Sequence, residues 1–423
     1  MNRLLAAGVS LAVVSLALPA MAQNMPDPAN VKGKIVNYVH FTNYIDDGSY
    51  DRWEAEFKAM YPNVEDVEVL GIADYAGQIA TRLATGDLGD VLEISDQVPV
   101  DELGDFFMPL NDLGIDKDYY FADRWAYEGN VYGLTFGVSA DGIVYNKEAF
   151  KKAGIDTIPT KFSELTAAYA KLKASGAYPI VLNLADGWPV TSFEGLAAAI
   201  SGDPNFMNST LQDDTPLAAD KPWGKSLSIL KGFIDAGFAE DDLSTAHWGD
   251  SKGWLASGKG ASWFLGNWSI SQIATEGATL AGLKDYDANN LGYFPLPYDE
   301  SGGPYNVSSG PDWAMVINAK TANPELAKAW LAFILTKTDL AQKAGFIPGY
   351  KKLPPTLPQL AEFQTYKPHL IEGAPPTPAL TNVRNASGWN GGNAIRDLAN
   401  APDFNAAVND INAKWAASAA RER

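Results

Sequence analysis

The sequence predicts an α/β protein built as two lobes, and three observations carry that expectation. Strand-like and helix-like segments alternate along the chain, as the βαβ units of a parallel sheet do. Removal of an expected leader leaves 423 − 22 = 401 residues, enough for two domains of roughly 100–200 residues each. The stretch 132–164 leaves one structured region through Gly137-Val138-Ser139 and re-extends as Gly142-Ile143-Val144-Tyr145. It then enters an amphipathic segment at once, the pattern of a crossover between lobes.

The elements follow in order. Arg3 precedes an apolar run over 4–18, and Pro19-Ala20-Met21-Ala22 completes a small-residue cleavage site, so 1–22 is expected to be a secretory signal peptide. The run is shorter than the roughly 20 apolar residues a membrane span needs. No cysteine stands at the cleavage site to carry a lipid, so a free periplasmic protein is expected. Residues 34–40 read as a β-branched strand, 42–48 as a loop, and Ser49 as the cap of a helix with Trp53, Phe57 and Met60 on one face. Strands at 64–72 and 91–94 flank a helix that Asp74 caps, with Tyr75, Ile79 and Leu83 inward.

Beyond the crossover, Thr160 caps a helix carrying Leu165, Tyr169 and Leu172, and 179–184 reads as a strand. Trp223, Leu227, Leu230 and Ile234 mark a further helix, 259–265 a strand, and 290–297 an extended strand between lobes. A short strand over 314–318 precedes a helix with Asn323 as cap and Pro324 in its first turn. The eight prolines of 348–378 predict a surface crossing, and a last helix from Pro402 buries Phe404, Val408, Ile411 and Trp415.

Composition excludes several functions. With no cysteine there are no disulfides and no thiolate metal ligands. A formal charge of −19 argues against nucleic acid and anionic membrane as partners. His40, His247 and His369 lie in no metal-like spacing and read as surface or half-buried side chains, so neither metal nor cofactor is expected. Gly253 to Lys259 imitates a phosphate loop, but Gly260 replaces the Ser/Thr that would hold Mg²⁺ and the segment before it reads as helix, so it is taken as a helix stop.

Glu93, Asp96, Asp141 and Asp186 lie near strand ends. Such carboxylates could pair to hydrolyse a glycosidic bond, or accept hydrogen bonds from a bound sugar. The sharper signal is aromatic. Tyr44, Trp188, Trp268, Trp313 and Trp389 each stand beside Gly, Asn, Asp or Ser and outside any periodic apolar face. In open α/β sheets ligands sit beyond the carboxyl ends of strands, and a sugar needs an apolar face to stack on and a polar rim.

Several stretches carry a family resemblance: Tyr75-Ala-Gly-Gln-Ile-Ala-Thr-Arg-Leu-Ala-Thr-Gly86, Gly89-Asp90-Val91, Tyr145-Asn146-Lys147-Glu148-Ala149-Phe150, Gly258-Lys259-Gly260-Ala261 through Trp268, Gly292-Tyr-Phe-Pro-Leu-Pro297 and Asn323-Pro324-Glu325. In this order they are similar to the family 1 extracellular solute-binding proteins of ABC importers. The resemblance implies two α/β lobes around a ligand cleft, with crossovers near 136–139, 291–297 and 336–345. Residues 23–138 plus 298–340 would form the first lobe, and 139–297 plus 341–423 the second.

Within the family the chain looks most like the maltose-binding branch. That likeness puts ligand contacts on Ser95, Asp96 and Gln97, Asp186 on sugar hydroxyls, and Trp188 and Trp268 against ring faces. Asn43, Ser139, Asp141, Gly310 and Asp312 complete the expected lining with Tyr44, Trp313 and Trp389. The chain has Ile94-Ser95 where that branch has a Trp, and Ser139 where it has an acid. Another mono- or oligosaccharide or a glycoside is therefore expected in place of maltose. The expected function is that of a monomeric periplasmic carbohydrate receptor, not an enzyme, that hands its sugar to a membrane permease. The alternatives are a secreted glycoside hydrolase, or the same fold holding a polyamine or an anion.

Overall fold

The computed structural model describes residues 25–423 apart from 73–74 and 96–97. The leader, the Asp74 cap and the expected contacts Asp96 and Gln97 therefore lie outside the described residues. No helix among the described residues is long and apolar enough to cross a membrane.

Two sheets organise the chain into two lobes. In the first, the strands run in the order Val64–Gly71, Gly33–Val39, Val91–Ile94, Ala314–Ile317, Gly133–Thr135. The first three are mutually parallel, as the alternating pattern predicts. Ala314–Ile317 lies antiparallel between Val91–Ile94 and Gly133–Thr135. Beneath this sheet the helix Pro324–Lys337 buries Trp330 and Phe333 against Phe57, with the Trp330 and Phe57 rings 5.1 Å apart edge to face.

The second sheet is built on one long strand, Gly137–Asn146. It exchanges partners along its length: Ile347–Pro348 at its start, Asn306–Pro311 over 138–140, Ser262–Gly266 over 141–145 and Leu291–Phe294 over 143–146, all antiparallel. Glycine makes two of these pairings possible. A Cβ on Gly142 would lie 2.6 Å from the Tyr293 ring, and one on Gly292 would lie 2.2 Å from Tyr145. The Tyr293 hydroxyl then donates to the carbonyls of Ala140 and Leu265, 2.5 and 2.8 Å away, locking the bend between strands.

The structure corrects several expectations. The strand expected at 179–184 is reduced to isolated bridges, Tyr178 to Gly260 and Val181 to Trp263, because the chain turns into the helical turn Leu184–Asp186. The loop expected at 42–48 contains the helical turn Thr42–Asp46. Leu291–Phe294 is not an interlobe strand but pairs inside the second sheet. Asn306–Pro311, expected in the first lobe, pairs with the strands Gly137–Asn146 and His369–Glu372 of the second. Conversely Ala341, Ala344, Phe346 and Tyr350, expected in the second lobe, pack into the first lobe's core. The proline-rich stretch also carries a helix, Pro358–Thr365, and a strand, His369–Glu372. Proline is tolerated there because it sits in first turns and between elements. The chain thus passes between sheets at Phe136, at 312–313 and between Ile317 and Ile347, although Tyr350 and Leu353 still pack on the first lobe's core before Leu357 joins the second's.

Candidate functional site

Between the lobes lies a slot of about 1250 Å³. Its first-lobe wall begins where the strand Gly33–Val39 ends: His40 and Phe41, then Thr42, Asn43 and Tyr44. Lys343 and Phe346 extend it. The second-lobe wall carries Trp248 and Lys252 from the helix Trp248–Ser257, then Trp268, and Gln272, Thr275 and Glu276 from the turns that follow. Each wall therefore grows from a strand end or the element it feeds.

Three indoles form one surface on the second lobe. The Trp188 ring meets Trp248 edge to face at 4.5 Å and Trp268 at 6.0 Å, and Trp248 lies 6.1 Å from Trp268. Trp188 is 42% exposed, unusual for so large an apolar ring. The turn that aims Trp268 is tightly specified. Asn267 is fully buried, accepts from the Ala140 N–H at 2.7 Å and donates to the Gly345 carbonyl at 2.6 Å, so it ties the turn to the neighbouring lobe. Gly266 leaves room for it, since a Cβ there would lie 2.2 Å from Ser139 Oγ and 2.4 Å from Trp268 Nε1. On the opposite wall Phe41 stacks on Tyr44 at 4.9 Å.

Charges in the slot are balanced in pairs. Lys252, itself buried, pairs with Glu276 and lies 4.7 Å over the Trp248 ring. Lys343 pairs with Asp47 at 2.7 Å and lies 5.1 Å over Tyr44. His40 Nδ1 is 2.6 Å from Glu93 Oε2, which also accepts the His40 backbone N–H at 2.9 Å. Burial alone would lower the His40 pKa, but the Glu93 carboxylate outweighs it and holds the imidazole above its ordinary value. Two carboxyls lack such a partner. Burial pushes Asp312 up to about 6, with nearby His40 opposing the rise. Burial pushes Asp141 up to about 7.

Asn43, Tyr44, Trp268 and Asp312 thus come together on the slot. Asp141 and Trp188 line an adjoining pocket that shares Trp268. Ser139 and Gly310 pair with each other across two strands, Ser139 just after one change of lobe and Gly310 just before the next. Trp313 packs behind the wall, against His40 at 5.7 Å and Tyr75 at 5.2 Å. Ser95 offers its carbonyl to Trp125 Nε1 at 2.8 Å and Asp186 accepts from the Asn183 amide, and neither lines these cavities.

Trp389 is a correction. It is 1% exposed, packed against Trp223 at 4.6 Å inside the second lobe, with its N–H on Glu194 Oε1 at 3.1 Å. Its glycine and asparagine neighbours mark a helix end, not a slot edge. Sequence reasoning also missed Trp248, Lys252 and Lys343. Trp248 carried the same signal as the others, standing before Gly249-Asp250. The two lysines carried none. Among the described residues, no group of three or more His, Asp or Glu could hold a metal ion.

Two α/β lobes joined by repeated crossings, with an indole-walled polar slot between them, define a two-lobe solute-binding fold. Residues 43–340 match the bacterial extracellular solute-binding protein family, and the chain belongs to that family. It is 24% identical over 294 residues to a multiple sugar-binding protein of Streptococcus mutans serotype c. It is 25% identical over 316 residues to the sn-glycerol-3-phosphate-binding periplasmic protein UgpB of Yersinia pestis. These alignments cover 66% and 71% of this chain, and 66% and 65% of those relatives, just under two thirds of their length. Among solved structures, a manno-oligosaccharide-specific solute-binding protein of Bifidobacterium animalis subsp. lactis in complex with mannotriose superposes with a TM-score of 0.77. That pair is 25% identical and covers 93% of this chain and 96% of the other. RafE of Streptococcus pneumoniae superposes with a TM-score of 0.70 at 20% identity, covering 92% and 98%, which speaks to the fold.

Proposed function

We propose that the protein is a periplasmic receptor that closes over a neutral sugar, a saccharide or glycoside, and delivers it as a monomer to the permease of an ABC importer. The observation that carries this reading is the slot itself: Trp248 and Trp268, with Trp188 packed beside them on the adjoining pocket, face a wall of aromatic and polar side chains across about 1250 Å³. Stacking and hydroxyl hydrogen bonds are what a pyranose offers. Charge argues the same way against an anion. Among the described residues, each basic side chain on the slot already faces a carboxylate, Lys252 on Glu276, Lys343 on Asp47 and His40 on Glu93. Asn43 and Asp312 would accept or donate to hydroxyls from the first lobe, and Trp268 would stack from the second. Ligand would shift an open–closed equilibrium about the three crossings.

The test is a thermal-shift screen of purified protein with mannotriose, raffinose, chito-oligosaccharides, glycerol 3-phosphate and spermidine, with chromatography of the sugars afterwards. A rise in melting temperature with a sugar returned intact is expected. A shift with glycerol 3-phosphate or spermidine alone would overturn the sugar reading, and sugar fragments would point to a hydrolase.

A further inference from the structure

Trp188 and Trp248 come from segments far apart in the chain, and neither ring is buried. An edge-to-face contact is worth only about 0.5–1.5 kcal/mol, so ring packing alone holds their two segments weakly. Trp268 is fixed from behind by Asn267. Behind the other two indoles the chain meets itself at Asn183.

The approach to Asn183 explains why the expected strand at 179–184 breaks. Val181 still donates its N–H to the Ser262 carbonyl at 2.8 Å, as a strand neighbour would. The next two N–H groups turn away from the sheet to one side chain. Leu182 donates to Glu240 Oε2 at 2.8 Å and Asn183 to Glu240 Oε1 at 2.6 Å. Glu240 is 4% exposed, and a carboxylate out of water needs its oxygens occupied. With both N–H groups drawn off, the backbone bends and Asn183 takes the left-handed conformation, φ 49° and ψ 48°.

The fully buried Asn183 side chain then grips two segments at once. Its Nδ2 donates to Asp186 Oδ2, in the turn that leads to Trp188. Its Oδ1 accepts the N–H of His247, the residue before Trp248, at 2.7 Å. Three demands fall on this position: a left-handed backbone, a donor and an acceptor. Glycine would meet only the first, and ionised aspartate would lack the donor. Asparagine meets all three.

We propose that Asn183, seated by Glu240, is a positioning residue that sets Trp188 against Trp248, and that the sugar affinity of the slot depends on this register. The proposal rests on the sugar reading above and adds to it two buried residues that line neither cavity.

The experiment has two arms, each run on the wild type, Asn183→Gly, Trp188→Ala and the chain carrying both changes. Asn183→Gly keeps the left-handed backbone and removes both side-chain bonds. The first arm is near-ultraviolet circular dichroism without ligand, which reads the coupling of neighbouring indoles. The signal that Trp188→Ala removes should also be missing from Asn183→Gly. The second arm is calorimetry with mannotriose, raffinose and chitotriose. Asn183→Gly should weaken the tightest of these by about tenfold, as expected for two lost hydrogen bonds. In the Trp188→Ala background the same change should cost less than about twofold, because a single ring has no register to lose. Should Asn183→Gly fail to fold, Asn183→Asp, which keeps the acceptor and loses the donor to Asp186, takes its place with the same expectations.

Wild-type dichroism in the Asn183 variant, or an affinity loss that persists in full when Trp188 is replaced, would overturn the proposal and leave the sugar reading intact. No binding of any sugar by the wild type would overturn the sugar reading, and the dichroism would still decide whether Asn183 sets the rings.

Discussion

The second lobe holds two tryptophan trios with different jobs. Trp223, Trp389 and Trp415 meet edge to face at 4.6 and 5.6 Å around Trp223 and are at most 1% exposed. Trp188, Trp248 and Trp268 meet at 4.5 to 6.1 Å, and Trp188 remains 42% exposed. Ring geometry does not distinguish them. Exposure does. In the core, Trp389 and Trp415 donate to Glu194 and to the Thr210 carbonyl, both at 3.1 Å, while the buried Trp223 N–H has no partner among the described residues. At the slot, none of the three N–H groups has a hydrogen-bond partner among the described residues, and the apolar faces stay open. One trio is filled in by protein; the other keeps an open face on the cavities.

Substitution should separate the two. Trp389→Ala carries the largest expected effect, a loss of about 3–5 kcal/mol of folding stability from the cavity it leaves, read by urea unfolding, with the affinity of the folded protein for its sugar unchanged. Trp188→Ala should do the reverse. Sugar affinity by calorimetry falls by about 1–3 kcal/mol, while the unfolding free energy stays within about 0.5 kcal/mol of wild type, as for exposed sites generally. If Trp188→Ala binds normally, the slot trio has no claim to a separate role.

Asp141 sharpens the comparison by pH. Its carboxyl is pushed from an ordinary value of 3.8 up to about 7, so across that window the unfolded chain loses a proton that the folded chain keeps. The folded state binds more protons, and stability therefore falls as pH rises through the window. Asp141→Asn removes that dependence. Its melting temperature should exceed wild type near about pH 8 and match it near about pH 4, by an amount reduced because the side chain is partly open to water. The smallest effect belongs to Lys343→Met. Its ion pair with Asp47 joins side chains 33% and 41% exposed, so less than about 1 kcal/mol of stability should be lost, and less still in high salt.

Much of the site was legible because loop aromatics beside small polar residues break the periodicity of a core face. Tyr44, Trp188 and Trp268 follow that rule and lie on the cavities. Trp389 follows it too and is buried, because the rule reads local sequence and cannot see that the helices Pro378–Ser387 and Gly392–Ala399 fold this corner onto Trp223. His40 was read as surface or half-buried, and it is half-buried, but its pairing with Glu93 spans 53 residues and leaves no local trace. The same limit misplaced Asn306–Pro311, whose partners lie more than 100 residues before it and about 60 after it.

By itself the sequence determined the α/β alternation, most helix and strand positions, and a crossing between lobes near 136–139. It did so because period, capping residues and glycine stops act over a few residues, and those are what a sequence displays. Tertiary structure alone decided which strands share a sheet, which tryptophans face water, and that both slot lysines are already neutralised. Those outcomes depend on groups brought together from distant parts of the chain, where burial and charge pairing act through space and not along the backbone.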